Sequence, residues 1–323
     1  MSKVLYYHCL SFPELVNKLE YKLANSFGIL SPCFRLGFTN HFDINFDPVP
    51  DIPANFTPTF RELVNRRATE LWDIGKPIRL WWSGGIDSTC ALVGLLQTRR
   101  LDCNIIVYLS NKSVEENPDF YDILVKNKVK LQWHSLEDYM YDNTYNWNGE
   151  TINVNGCGGD ELFLSITDRT LDIESFFKIK DTHWSNIVGK FDYNTVEKYI
   201  ELSPYKPETC WELLWWFSRT TDDLSSRYMS PRFLKDPSVY SLEHAFFYTK
   251  YFELWSISNP YAGHNGTPDS YKYPMKKYIY DFDKNENYLN HKKKISSLPY
   301  VWANRRSVVY NKIVYEDGTY VRN

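Results

Sequence analysis

"RLWWSGGIDSTCALVGLL", residues Arg79 to Leu96, passes from a short apolar run through two glycines into a second, longer apolar run. The run Ile78–Trp82 is short and bounded by turn residues, which predicts a buried strand. Ser88–Gln97 has the length and apolar content of a helix. Between them lies "SGGIDS". The N–H groups of such a turn, and of the first helical turn, have no intrahelical partners. The positive end of the helix dipole stands behind them, so the turn suits an anion. Gly84 and Gly85 allow close backbone approach, and Ser83 and Ser88 add hydroxyl donors. Asp87 contradicts this unless a divalent cation lies between carboxylate and anion, which reverses the sign of the interaction. Asp87 therefore reads as a metal ligand, for Mg²⁺ carried on a bound polyphosphate. The lysine and the spacing of the GxxxxGK[ST] phosphate loop are absent.

Working outward, "NFDPVPDIPANFTP" (Asn45 to Pro58) reads as an extended connector rich in proline. "TPTFRELVNRRATELWDIG" follows as a helix. Phe60, Leu63, Ala68 and Leu71 form its apolar face, and Gly75 and Pro77 end it. After the glycine turn, Cys103–Ser110 predicts a second strand, "NPDFYDILVKN" a helix, Val129–Leu136 a third strand and Glu150–Gly156 a fourth. Strands alternating with helices predict an α/β fold with a doubly wound, mainly parallel sheet. After about Thr167 the chain is aromatic-rich and mostly helical in pattern, which predicts a helical carboxyl-terminal extension. The expected organisation is an amino-terminal segment at 1–57, the sheet domain at 58–165 and the extension at 166–323.

Composition sets the bounds. The chain has 323 residues, a net charge of -3 and 43% hydrophobic residues. No global basic field points to nucleic acid. The cysteines are scattered with no CxxC pair, so a zinc ribbon or CxxC redox site is not expected. The first twenty residues lack the apolar core and cleavage site of a signal peptide. No stretch approaches the ~20 apolar residues of a membrane span. These features predict a cytoplasmic protein. Aromatic residues make up 17% of the chain, and many cluster in "CWELLWWFSR" and "HAFFYTKYFELWSISN", where helical stripes of this kind usually form core.

A second motif, "NGCGGDELF" (Asn155 to Phe163), ends the fourth strand. With SGGxDS it resembles the synthase domain of asparagine synthetases and β-lactam synthetases, within the N-type ATP pyrophosphatases. The SGGxDS loop is similar to the pyrophosphate-binding loop of that superfamily, and "NGCGGDELF" to its SGxGSDELFGG segment. The resemblance covers about residues 58–165. It implies an adenine nucleotide α-hydrolase-like fold that binds ATP and Mg²⁺. It also implies a reaction in which a substrate carboxylate attacks the α-phosphorus, pyrophosphate leaves, and an amine displaces AMP from the acyl-adenylate. Asp87 and Asp160 are then the metal ligands and Lys277, in "MKKYIYDF", the catalytic lysine. Ser83, Gly84, Gly85 and Ser88 hold the pyrophosphate, Trp82 and Gly156 flank the nucleotide, and the Leu109 backbone meets the adenine.

The sequence departs from that pattern in three places. Asparagine synthetases carry a glutaminase whose nucleophile is the cysteine after Met1; here that residue is Ser2, and only about 57 residues precede the synthase-like part. Ammonia is then expected from solution or a separate source, or the nucleophile is a substrate's own amine. Cys157 stands where relatives have Glu or Tyr, beside the acyl-adenylate, as a spacer or as a thiol nucleophile. Asp281 stands where relatives have arginine. The expected partners are a small-molecule carboxylate and an amine, with no membrane and no nucleic acid indicated. Two other functions share the loop: adenylation of a nucleobase carbonyl in RNA modification, and a nucleotide-binding module without turnover.

Overall fold

The computed structural model describes residues 51–100, 104–134, 150–163, 243–259 and 272–291. It also describes stretches at 4–8, 178–188, 205–213, 312–315 and 320–322, and single positions 197, 200, 201, 215, 216 and 262. The chain divides into two compact units.

The larger unit combines Ile52–Phe163 with Ser230–Arg305. It opens on α1 (Phe60–Asp73). Thr59 caps this helix in a reciprocal box: its hydroxyl accepts from Glu62 N, and the Glu62 carboxylate accepts from Thr59 N at 2.7 Å. Phe60, Leu63, Ala68 and Leu71 are all buried, as their spacing requires. Five strands follow: β1 (Ile78–Trp81), β2 (Ile105–Leu109), β3 (Lys130–Trp133), β4 (Ile152–Asn155) and β5 (Glu243–Ala245). They form one sheet in the order β3-β2-β1-β4-β5. Every pair is parallel. The fold is therefore α/β with a parallel sheet, as the alternation of elements predicts.

The helices of this unit are α2 (Ile86–Gln97), α3 (Asn111–Glu116), α4 (Pro118–Lys126), α5 (Gly159–Leu162), α6 (Lys250–Ser258), α7 (Tyr273–Asp283) and α8 (Glu286–His291). α4 starts where its sequence says it must: Pro118 occupies the first turn, and the Asn117 side chain accepts from Phe120 N at 3.3 Å. The core lies on one face of the sheet, where Ile78, Leu80, Val107 and Val154 meet α1, α2 and Phe246, Phe252 and Trp255. Phe60 touches four aromatic rings there, with Trp255 at 5.1 Å. The "HAFFYTKYFELW" stripe is thus core. β5 comes from the stretch with a mostly helical pattern and is the strand that pattern conceals.

The order of strands reverses direction between β1 and β4. Successive strands add outward through β2 and β3, then resume on the other side of β1. Open α/β sheets bind ligands at the carboxyl ends of the strands flanking such a reversal. SGGIDS follows β1 and GCGGDELF follows β4.

The smaller unit comprises Met1–Asp51, Leu164–Met229 and Arg306–Asn323. Val4–His8 pairs antiparallel with Lys312–Tyr315, which pairs antiparallel with Tyr320–Arg322. Trp184, Cys210, Trp211, Trp215 and Trp216 are buried, and Trp211 stacks on Trp215 with centroids 6.2 Å apart. Among the described residues, no helix is long and apolar enough to cross a membrane.

Candidate active site at the carboxyl edge

The glycine turn is tied together by its own serines. Ser88 Oγ accepts from Ser83 N at 3.1 Å, meets Ser83 Oγ at 2.9 Å and donates to Gly85 O at 3.2 Å. Gly85 N donates to Ser83 Oγ at 3.2 Å. Ser88 is 4% exposed, whereas Ser83 faces solvent. The Trp82 indole donates to Thr89 Oγ1 at 2.9 Å, and Thr89 donates onward to Gly85 O at 2.8 Å. Trp82 is therefore an internal brace of the turn, 2% exposed. Leu109 is equally buried, and its carbonyl accepts from His134 N at 2.8 Å.

Gly84 has φ +80, a left-handed conformation that a side chain resists. A Cβ there would also lie 2.2 Å from the Ser113 carbonyl oxygen, so α3 packs directly on the turn. Glu116, at the end of α3, brings a carboxylate beside it: Oε1 would lie 3.5 Å from a Cβ on Gly85.

The two glycine motifs meet. A Cβ on Gly156 would lie 2.6 Å from Ser88 N, and one on Gly159 would lie 2.7 Å from Asp87 Oδ1. Only residues without side chains permit this approach. Asp160 is the next residue of α5; its side chain lies outside the described residues. Cys157 is half-buried, with its N–H donated to Asn155 Oδ1 at 3.0 Å and its carbonyl accepting from Phe247 N at 3.3 Å. Those two bonds use only backbone atoms of Cys157. Cys157→Ser is accordingly expected to leave the fold intact and turnover within about tenfold, or ~1.4 kcal/mol in barrier. Intact-mass spectrometry of the wild type with ATP and an acid substrate would reveal a covalent adduct if the thiol acts as nucleophile, and that result overturns the spacer role.

The lysine at this site is Lys272. Its ammonium forms an ion pair with Asp87 Oδ1, and its side chain is 3% exposed. It stands at the start of α7 with φ 53, a left-handed backbone. Lys277 goes elsewhere: it is 45% exposed, donates to Asp281 at 2.9 Å and lies over the Tyr280 ring. That hydrogen bond raises the Lys277 pKa above its ordinary value. Helical phase was the signal available in the sequence. Met275, Lys276 and Ile279 are buried on one face of α7, and Lys272 lies in the same i, i+4 stripe; Lys277 is out of phase with it. Lys276 is itself 1% exposed.

Behind the turn, burial pushes the Cys90 thiol well up, with the Asp87 charge adding to it, so this thiol stays protonated. Burial also raises the Tyr288 phenol, which lies within reach of Thr89, Glu116 and Asp87. Glu116 and Tyr288 were not legible as site residues, because each arrives from an element distant in sequence.

Two glycine turns converge here on one carboxylate, with a buried lysine on the same carboxylate and a helix amino terminus beside it. That combination stands at the carboxyl edge of the sheet, where open α/β folds place their ligand sites. No protein-family model matches the chain. No curated protein matches it significantly. Among solved structures it is similar to the U34-tRNA thiolase NcsA from Methanococcus maripaludis with its [4Fe-4S] cluster, at 14% identity. The match covers 56% of this chain and 76% of that one, with a TM-score of 0.25. A likeness at that score carries no functional argument, so the functional reading rests on the site.

Proposed function

We propose that the chain is an ATP-using enzyme that releases pyrophosphate and transfers AMP to an oxygen nucleophile. The observation that carries this is the seating of Gly156 and Gly159 on Asp87–Ser88, with Lys272 on the same carboxylate. The glycine turn offers N–H donors to the β,γ unit of the nucleotide, and Lys272 offers positive charge where the leaving group gains negative charge. Mg²⁺ fits this donor set, since it commonly takes one or two carboxylates plus phosphate oxygens. Asp87 and Asp160 would hold it, and it would neutralise the departing pyrophosphate.

The finer reading is an AMP-forming amide ligase. A carboxylate oxygen forms a bond to the α-phosphorus and the bond to pyrophosphate breaks. An amine then forms the amide, releasing AMP and a proton. The similarity of "NGCGGDELF" to the amide-forming enzymes supports this reading. The same first step on a nucleobase carbonyl is the second reading; tRNA thiolation, the activity for which NcsA is named, belongs to that kind of chemistry.

One assay tests both. Pyrophosphate and nucleotide products are measured with ATP and Mg²⁺, in separate arms with pooled carboxylic acids plus amines and with bulk tRNA. AMP and pyrophosphate are expected in the acid arm. Release only in the RNA arm replaces the ligase reading with the second. ADP as the main product overturns both, and tight ATP binding without release in any arm leaves a binding module.

A further inference from the structure

The opposite face of the sheet is chemically unlike the core face. Register places Arg79 beside Ile106 on β2 and beside Asn153 on β4. One step nearer the carboxyl edge, Trp81 lies beside Tyr108. Neither Trp81 nor Tyr108 belongs to the main core cluster, although they are 8% and 4% exposed. Their rings pack 4.8 Å apart, and His134 stacks on Tyr108 at 4.6 Å and meets the Trp81 edge at 5.6 Å. On β3 the same face carries Lys130 and Gln132, both exposed, and it opens to solvent along that edge.

Two donors here have no acceptor. Arg79 Nε and Asn153 Nδ2 are buried, and neither has a hydrogen-bond partner among the described residues. Asn153 is 2% exposed. Buried donors are nearly always paired, so two on neighbouring strands point to a shared acceptor. Paired residues on adjacent strands lie about 4.8 Å apart, a separation that one oxyanion can bridge. A charge-assisted bond from a guanidinium is the strongest such contact, and a planar carboxylate matches it. Register also sets Glu243 of β5 beside Asn153; its side chain lies outside the described residues, and the test below includes it. Next to Arg79 the rings of Trp81, Tyr108 and His134 form an apolar wall, with Tyr108 and His134 stacked and Trp81 tilted by 44° to Tyr108.

We propose that this face binds a small planar aromatic carboxylate. Arg79 and Asn153 hold its carboxylate, and the Trp81–Tyr108–His134 wall packs against its ring. The proposal is independent of the nucleotide reading: Arg79 lies on the face away from the core packed under Asp87's helix, and binding here needs no ATP.

The test is calorimetric titration of the full chain, without nucleotide, against benzoate, indole-3-carboxylate, benzamide, phenyl phosphate and inorganic phosphate. Saturable binding of an aromatic carboxylate is expected, with benzamide at least about tenfold weaker because it lacks the charge. Arg79→Gln and Asn153→Ala should each weaken binding by about tenfold or more, while Asp87→Asn binds as wild type does. Glu243→Gln should bind at least as tightly as wild type. If benzoate binds only to Glu243→Gln, the acceptor for these donors is internal and the proposal fails. Thermal denaturation confirms that the variants fold. Should a variant not fold, the benzoate-to-benzamide ratio on the wild type still decides. Benzamide binding as tightly as benzoate, tighter binding of either phosphate, or no binding of any aromatic carboxylate at millimolar concentration overturns the proposal.

Discussion

Asp87→Asn is expected to lower pyrophosphate release about a thousandfold, or roughly 4 kcal/mol in barrier. The substitution keeps size and shape and removes one charge from the point where both glycine motifs and Lys272 meet. An amide is a poor ligand for a hard dication, so charge on the leaving group goes unneutralised. Asp87→Glu restores the charge but should still lose at least about tenfold. Its extra methylene lengthens a side chain seated so close to Gly159 that even a Cβ there would lie 2.7 Å from Asp87 Oδ1, and the resulting displacement misplaces the reacting groups. A coupled pyrophosphate assay at limiting Mg²⁺ checks both. Asp87→Asn turning over within threefold of wild type would remove this carboxylate from the chemistry.

The second large effect separates two lysines five residues apart. Lys272→Met is expected to cut pyrophosphate release about a hundredfold, the usual order for one charged donor aimed at developing charge. Lys277→Met should stay within about threefold, because that ammonium meets Asp281 and the Tyr280 ring in a largely exposed position. Lys272→Gly refines the comparison. It removes the same amine and also the cost of holding a side chain at φ 53. It should therefore be as inactive as Lys272→Met while melting at a higher temperature. Equal losses in the Lys272 and Lys277 variants would mean that the ion pair with Asp87 has no special role.

What the sequence showed depended on how local each signal was. The β1–turn–α2 unit and four of the five parallel strands each rest on contiguous residues. Their boundaries shifted by at most three residues. β5 has only three residues, too few to establish an alternation, and it is followed by aromatic residues that read as helix. The meeting of the two glycine motifs was foreseeable from topology, since both follow strands flanking the reversal in strand order. The identity of the lysine was not. Resemblance drew attention to Lys277, whereas the phase of α7 turns Lys276 inward in the stripe of Lys272. Glu116 is recognisable only once α3 is seen folded against Gly84, a contact that no spacing announces.

The place of β5 in the chain has a consequence for synthesis. The residues of β4 emerge from the ribosome early, but the strand that completes their side of the sheet is encoded after the whole of Leu164–Met229, which belongs to the other unit. Until residues 243–245 appear, the nascent chain displays an unpaired strand edge, the kind of surface through which partly folded chains associate. Lys272 is made later still, so a chain halted before it would carry Asp87 and both glycine turns with no lysine on that carboxylate. Chaperone occupancy is therefore expected to be greatest in the interval between the emergence of β4 and that of β5.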